Sequence, residues 1–125
     1  MFSDSGRKQI LLVDDDVEML KMLRMFLQDD YQVAMVSNGM LALEYVVKNK
    51  PDLILLDYMM PLFDGPHILE ILRKREESKN IPVLFLTSVA EKDKILQCLA
   101  LNPQGYIVKP VSRDDLLSRV REVLE

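Results

Sequence analysis

Pro51-Asp52-Leu53-Ile54-Leu55-Leu56-Asp57-Tyr58-Met59-Met60-Pro61 is the stretch on which the reading of this chain turns. Four consecutive large aliphatics, Leu53 to Leu56, predict a strand buried on both faces, as at the centre of a parallel sheet. They run straight into a carboxylate, Asp57, and Pro61 forbids any regular continuation. An isolated Asp after a strand would be read as a turn cap. The sequence on either side argues for more.

Upstream, Ile10 to Val13 is a second short aliphatic run, and it too ends in acids, Asp14-Asp15-Asp16. A helical pattern follows, with Leu20, Leu23 and Leu27 on one stripe and Glu18, Lys21 and Arg24 on another. Tyr31 to Val36 predicts a strand, and Met40 to Lys48 a helix with Leu43, Val46 and Val47 inward. Downstream of Pro61, Pro66 suits a first helical position, and Ile68, Leu69, Ile71 and Leu72 face a core. Val83 to Leu86 is a fourth strand, ending in Thr87-Ser88. A helix around Lys92 to Leu101 buries Ile95, Leu96, Cys98 and Leu99, and Asn102 closes it in the left-handed region. Tyr106 to Val108 is the fifth strand, followed by Lys109-Pro110. Ser112 then caps a last helix with Asp114 and Asp115 in its first turn, and Val111 can staple onto Leu116.

Five aliphatic strands alternating with five helical patterns predict a doubly wound parallel α/β sheet with helices on both faces, in one domain over residues 1–125. The composition, 49% hydrophobic and 29% charged, is that of an ordinary globular domain. A net charge of −4 argues against a nucleic-acid surface. No apolar run approaches the ~18 residues of a spanning helix, and the polar start is no signal peptide. The single cysteine excludes an internal disulfide framework. The cytoplasm is the expected location.

In such sheets ligands bind outside the carboxyl ends of the strands. The polar residues at those ends, Asp14 to Asp16, Asp57, Thr87-Ser88 and Lys109, therefore converge on one rim. Two carboxylates at ~4 Å repel by about 4 kcal/mol at an effective dielectric of 20, so a cation belongs between them. All the donors are oxygens, which selects a hard ion, Mg²⁺ or Mn²⁺. Acid, hard metal, lysine and hydroxyl together suit phosphoryl chemistry: a carboxylate attacks while cations neutralise the phosphoryl oxygens.

In this order and spacing the motifs resemble a response regulator receiver domain of bacterial two-component signalling, along essentially the whole chain. The likeness rests on Ile10 to Asp16, Asn38-Gly39 with Ala42-Leu43, Pro51-Asp52, Asp57 to Pro61, Asp64-Gly65, Leu86 to Ser88 and Tyr106 to Pro110. The resemblance implies a flavodoxin-like sheet in the order 2-1-3-4-5. It implies that Asp57 accepts a phosphoryl group from a sensor histidine kinase or phosphotransfer protein. Asp14, Asp15, Asp57 and the backbone carbonyl of Met59 would hold Mg²⁺. Lys109 would contact the phosphoryl oxygens, and Lys109-Pro110 would be a cis peptide. Thr87 and Tyr106 would form a switch that changes the surface of the fourth helix, fifth strand and fifth helix for a downstream protein or a covalently linked output domain. No output domain follows Glu125, so the chain is a stand-alone receiver or a piece of a longer protein.

Some residues have plainer roles. Asp16 reads as a helix-start acid, His67 as a solvated side chain and Cys98 as a small core hydrophobe. The first helix carries more apolar residues than one core face accommodates, and Met22 and Met25 are expected to help dock a partner helix. Gln104-Gly105 stands where many receivers have an acidic pair, which puts the acid-bridged dimer of one DNA-binding subfamily in doubt. Met59 and Val89 are apolar at positions that flank the attacking water in receivers.

Two other classes compete with the signalling reading. A haloacid-dehalogenase-like phosphohydrolase would use Asp14-x-Asp16, but the nucleophile would then sit on the wrong strand and no cap domain is present. A phosphorylation-independent binding module would need none of Asp14, Asp15, Asp57, Thr87 or Lys109. Three acids in the first loop repel the phosphate of a flavin.

Overall fold

The computed structural model describes residues 6–62, 64–88, 94 and 100–125. Its strands are β1 (Gln9–Val13), β2 (Gln32–Val36), β3 (Leu53–Asp57), β4 (Val83–Thr87) and β5 (Gly105–Val108). They form one parallel sheet in the order β2-β1-β3-β4-β5. The helices are α1 (Val17–Leu27), α2 (Gly39–Asn49), α3 (Gly65–Lys74) and α4 (Arg113–Leu124). Most of the helix expected over Lys92 to Leu101, including Ile95, Leu96, Cys98 and Leu99, and also Val89, lies outside the described residues.

Alternation along the central strands divides the core in two. Leu11, Val13, Ile54, Leu56, Val83 and Phe85 face α2 and α3, which contribute Ala42, Leu43, Val46, Ile68, Leu69 and Leu72. Ile10, Leu12, Leu53, Leu55, Leu84 and Leu86 face the opposite way, onto Leu20, Leu23 and Leu27 of α1 and Leu116, Leu117 and Val120 of α4. Burial on both faces is why the strands read as unbroken aliphatic runs. Each fully buried Leu or Ile contributes roughly 1.5–3 kcal/mol.

Asp16 and Ser112 cap helices as expected, and Asn38 and Asp64, read from the sequence only as boundary and loop residues, do so too. Asp16, Asn38, Asp64 and Ser112 each accept a backbone N–H of the first helical turn with their side chains. Asn102 lies in the left-handed region at φ 53°, and Val111 and Leu116 share one cluster.

The helix faces need two corrections. Val47, expected inward, is 47% exposed, because Gly39, Ala42, Leu43 and Val46 form the buried line of α2 and Val47 falls on its flank at 3.6 residues per turn. Ile71 is only partly buried against the α2–α3 side of the core. On α1, Met19, Met22 and Phe26 pack partly against the core, while Met25 is 65% exposed. Among the described residues no helix is long and apolar enough to cross a membrane.

Candidate functional site

Strand register assembles the site. Val13 pairs with Leu56, so Asp14 and Asp57, the next residues on adjacent strands, stand level with each other. Asp57 pairs in turn with Leu86, and Thr87 pairs with Val108, which brings Lys109 one residue beyond. The backbone N–H of Lys109 donates to the Thr87 carbonyl at 2.7 Å, fixing where the lysine leaves the sheet. The Lys109-Pro110 peptide is cis, as the resemblance implies. Between β1 and β3 the chain passes to α1 on one face and α3 on the other. That divergence opens the rim at the switch point.

The ammonium of Lys109 lies 3.2 Å from Oδ1 of Asp57 and 3.4 Å from Oδ2 of Asp14. Both carboxylates are buried, Asp14 completely, whereas Asp15 beside them is exposed. Asp14, Asp15 and Asp57 each offer an oxygen within 4.8 Å of the others. Three carboxylate oxygens at that spacing, with no nitrogen or sulfur among them, fit a hard divalent cation. The rest of Asp14 is committed to shape, since its Oδ1 accepts the Asp16 N–H at 2.9 Å. Asp16 itself caps α1 through the N–H groups of Glu18 and Met19 and stands outside the cluster of three.

Burial pushes the Asp57 carboxyl up to about 7, with repulsion from Asp14 adding to it and Lys109 opposing it. Lys109 loses hydration in the same place, but attraction to Asp57 and Asp14 outweighs that loss and raises its pKa. One lysine therefore holds two buried acids without fully neutralising them. The residual negative charge is what a cation would relieve.

Among the described residues, none of the other predicted residues makes a side-chain hydrogen bond to the three acids. The Thr87 hydroxyl is buried and donates to the Ser88 carbonyl at 3.2 Å. Tyr106 pairs with Phe85 across β4–β5, is partly buried on the α2–α3 side, and borders a groove of about 370 Å³ beside Val108, Val111 and Asp115. Met59 exposes its side chain. His67 is solvated, with Nδ1 2.8 Å from Asp64 Oδ1.

Gly65 carries a role that sequence reasoning missed. A Cβ there would stand 2.7 Å from the Asp57 carbonyl oxygen, 2.9 Å from the Phe85 ring and 3.0 Å from Tyr58 Cα. Its N–H donates to the Tyr58 carbonyl at 3.0 Å. Only glycine lets α3 start this close to the end of β3. The pattern Asp64-Gly65-Pro66 marks a helix start, but the close approach depends on β4, twenty residues onward.

A family model described as the response regulator receiver domain matches residues 10–121. The phosphate regulon transcriptional regulatory protein PhoB of Pseudomonas aeruginosa is 36% identical over 118 residues, 94% of this chain and 52% of PhoB. Among solved structures, the chemotaxis protein CheY4 of Vibrio cholerae has a TM-score of 0.89 at 29% identity, covering 94% of this chain and 99% of its own. The receiver domain of sensor histidine kinase PA1611 from Pseudomonas aeruginosa PAO1, solved with a magnesium ion coordinated in the active site cleft, has a TM-score of 0.85. It is 26% identical over 95% of this chain and 98% of its own. The chain spans about half the length, or less, of the curated relatives it matches.

Proposed function

Since this chain belongs to the response regulator receiver domain family, we propose that its residues 1–125 act as a single phosphoacceptor domain whose Asp57 is phosphorylated by a sensor histidine kinase or phosphotransfer protein. The observation that carries this reading is the placement of Lys109 between Asp57 and Asp14, with Asp15 completing an all-oxygen cluster. Receiver domains are signalling modules that generally bind Mg²⁺ at an acidic cluster, and PA1611's receiver was solved with the ion coordinated in its active site cleft. In this chain Asp14, Asp15, Asp57 and the Met59 carbonyl would hold Mg²⁺, with Mn²⁺ as a substitute. When bound, the ion supplies charge neutralisation for the phosphoryl oxygens.

A carboxylate oxygen of Asp57 attacks phosphorus, the bond from phosphorus to the donor imidazole nitrogen breaks, and the imidazole leaves with the electron pair. Lys109 follows the developing negative charge, since its ammonium already contacts Asp57. Thr87 exchanges its hydrogen bond to Ser88 for one to the phosphoryl group. Tyr106 then moves from the groove edge toward the core, and the surface formed by the segment after β4, by β5 and by α4 changes for its reader. That reader is a downstream protein or a linked output domain; PhoB, about twice the length of this chain, is a transcriptional regulatory protein. The setting is the cytoplasm, and the task is signal transfer without turnover of outside substrates.

Intact mass after incubation with Mg²⁺ and a small acyl phosphate tests the reading. One added phosphoryl group, absent in Asp57→Asn and in metal-free buffer, is the expected result. An unlabelled but folded and Mg²⁺-binding protein, also unlabelled by its cognate kinase, would promote the binding-module reading. Sustained hydrolysis of a generic phosphate ester would promote the phosphohydrolase.

A further inference from the structure

Arg73, in the last turn of α3, gathers four backbone carbonyls from two separate stretches of chain. Its Nε donates to Leu101 at 2.7 Å and its Nη2 to Asn102 at 3.1 Å. Its Nη1 donates to Ile81 at 2.8 Å and to Lys79 at 3.3 Å. No carboxylate pairs with it among the described residues, and burial lowers its pKa. A guanidinium has five N–H donors, so one on Nη2 remains, and the charge is offset only by carbonyl dipoles and the end of α3.

That charge borders a cavity of about 170 Å³, lined by Arg73, Lys79, Asn80, Pro82, Asn102 and Gln104. No acid lines it. The side-chain amides of Asn80, Asn102 and Gln104 have no hydrogen-bond partner among the described residues. Lys79 is shared with Glu76 at 2.8 Å, but both are well exposed, and such a pair is worth only about 0–1 kcal/mol. An entering anion can compete for it. The volume is well under the ~300–1,000 Å³ of pockets for drug-sized ligands, so the occupant is small. Pro82 and Gln104 precede β4 and β5, which puts the cavity at the amino ends of the strands. A five-residue strand spans about 16 Å, so this pocket is separate from the acidic rim.

The geometry points to a second binding site, for inorganic phosphate or a similarly small tetrahedral oxyanion. The anion takes the remaining Arg73 donor, the Lys79 ammonium and amide N–H groups from Asn80, Asn102 and Gln104. Occupancy ties residues 101–104 to α3 and so restrains the chain that leads to Tyr106. The site goes beyond the phosphoacceptor reading and does not depend on it.

The test is a titration of the metal-free chain of residues 1–125 with inorganic phosphate, at constant ionic strength balanced with chloride, followed by backbone and side-chain amide NMR. Without metal the three acids of the rim repel phosphate. Saturable shifts clustered at Lys79, Asn80, Asn102 and Gln104, weakened about tenfold in the surface variant Lys79→Gln with Asn80→Leu, are expected. Arg73→Met should abolish them; where that variant does not fold, the surface variant alone decides. Shifts scattered over exposed lysines, equal shifts with chloride, or shifts unchanged in the surface variant would overturn the proposal.

Discussion

The ammonium of Lys109 sits 3.2 Å from Asp57 and 3.4 Å from Asp14, although 52 and 95 residues of sequence separate them. Removing it as Lys109→Met leaves two buried carboxylates facing each other. At pH 8 the metal-free variant should be destabilised by about 1–3 kcal/mol, and the penalty should shrink at pH 5, where Asp57 takes up a proton. Acyl-phosphate labelling of Asp57 should fall about 10²-fold, the size of effect seen when one preorganised charge stabiliser is lost. Urea melts at both pH values and intact-mass time courses measure the two effects. Labelling at the wild-type rate would remove Lys109 from the proposed chemistry.

A second prediction follows from the Asp57 carboxyl itself, raised from 3.8 to about 7 chiefly by burial. Between those values the folded chain keeps a proton that the unfolded chain has released. Stability of the metal-free protein therefore falls as pH rises from about 4 to about 7. Asp57→Asn removes the buried charge and should gain on the order of 1–3 kcal/mol at pH 8, with almost no gain at pH 4. Mg²⁺ should stabilise the wild type above pH 7 and leave Asp57→Asn nearly unchanged. Chemical denaturation across pH, with and without Mg²⁺, checks all of this. A pH-independent difference between the two proteins would contradict the stated cause.

Much of this arrangement was legible in the sequence because strands buried on both faces announce themselves as unbroken aliphatic runs. Ile10 to Val13, Leu53 to Leu56 and Val83 to Leu86 each stop at a polar residue, and a parallel sheet brings those stops to one edge. Asp14, Asp57 and Lys109 could be placed together on that basis, whereas their ion-pair distances required the register. Val47 was misplaced because α2 carries apolar residues beyond its buried line, and periodicity alone does not say which edge is left outside. The Arg73 cavity was invisible for a different reason. Its partners are backbone carbonyls, and carbonyls leave no trace in residue identity.

The approach of α3 to β3 makes a sharp prediction at Gly65. Alanine adds one methyl at 2.7 Å from the Asp57 carbonyl and 2.9 Å from Phe85, and backbone cannot move aside as a side chain end can. Gly65→Ala should cost about 1–3 kcal/mol by overpacking. It should also shift the end of β3 enough to weaken Mg²⁺ binding, although residue 65 offers no ligand. Calorimetric Mg²⁺ titration beside a denaturation curve separates the two consequences. Wild-type values in both would mean that α3 retreats without strain.

The last prediction concerns the outer side of α1. Met25 is 65% exposed, whereas Met22 is partly buried against Leu20, Leu23 and their neighbours. The two methionines proposed to meet a partner helix are therefore not equivalent. Met25→Ser removes an exposed, flexible apolar contact and should change stability by no more than about 0.5 kcal/mol. Small-molecule labelling of Asp57 should be untouched, because Met25 lies two turns past the start of α1 and away from the acids. Phosphotransfer from the cognate kinase should drop about three- to tenfold, as the loss of a side chain from a docking face requires. Met22→Ser should lower transfer too, but with a stability cost of about 1 kcal/mol that blurs its meaning. Transfer rates from purified kinase, set against acyl-phosphate labelling of the same preparations, isolate docking from chemistry. Unchanged transfer in both variants would return these methionines to the single task of covering the core.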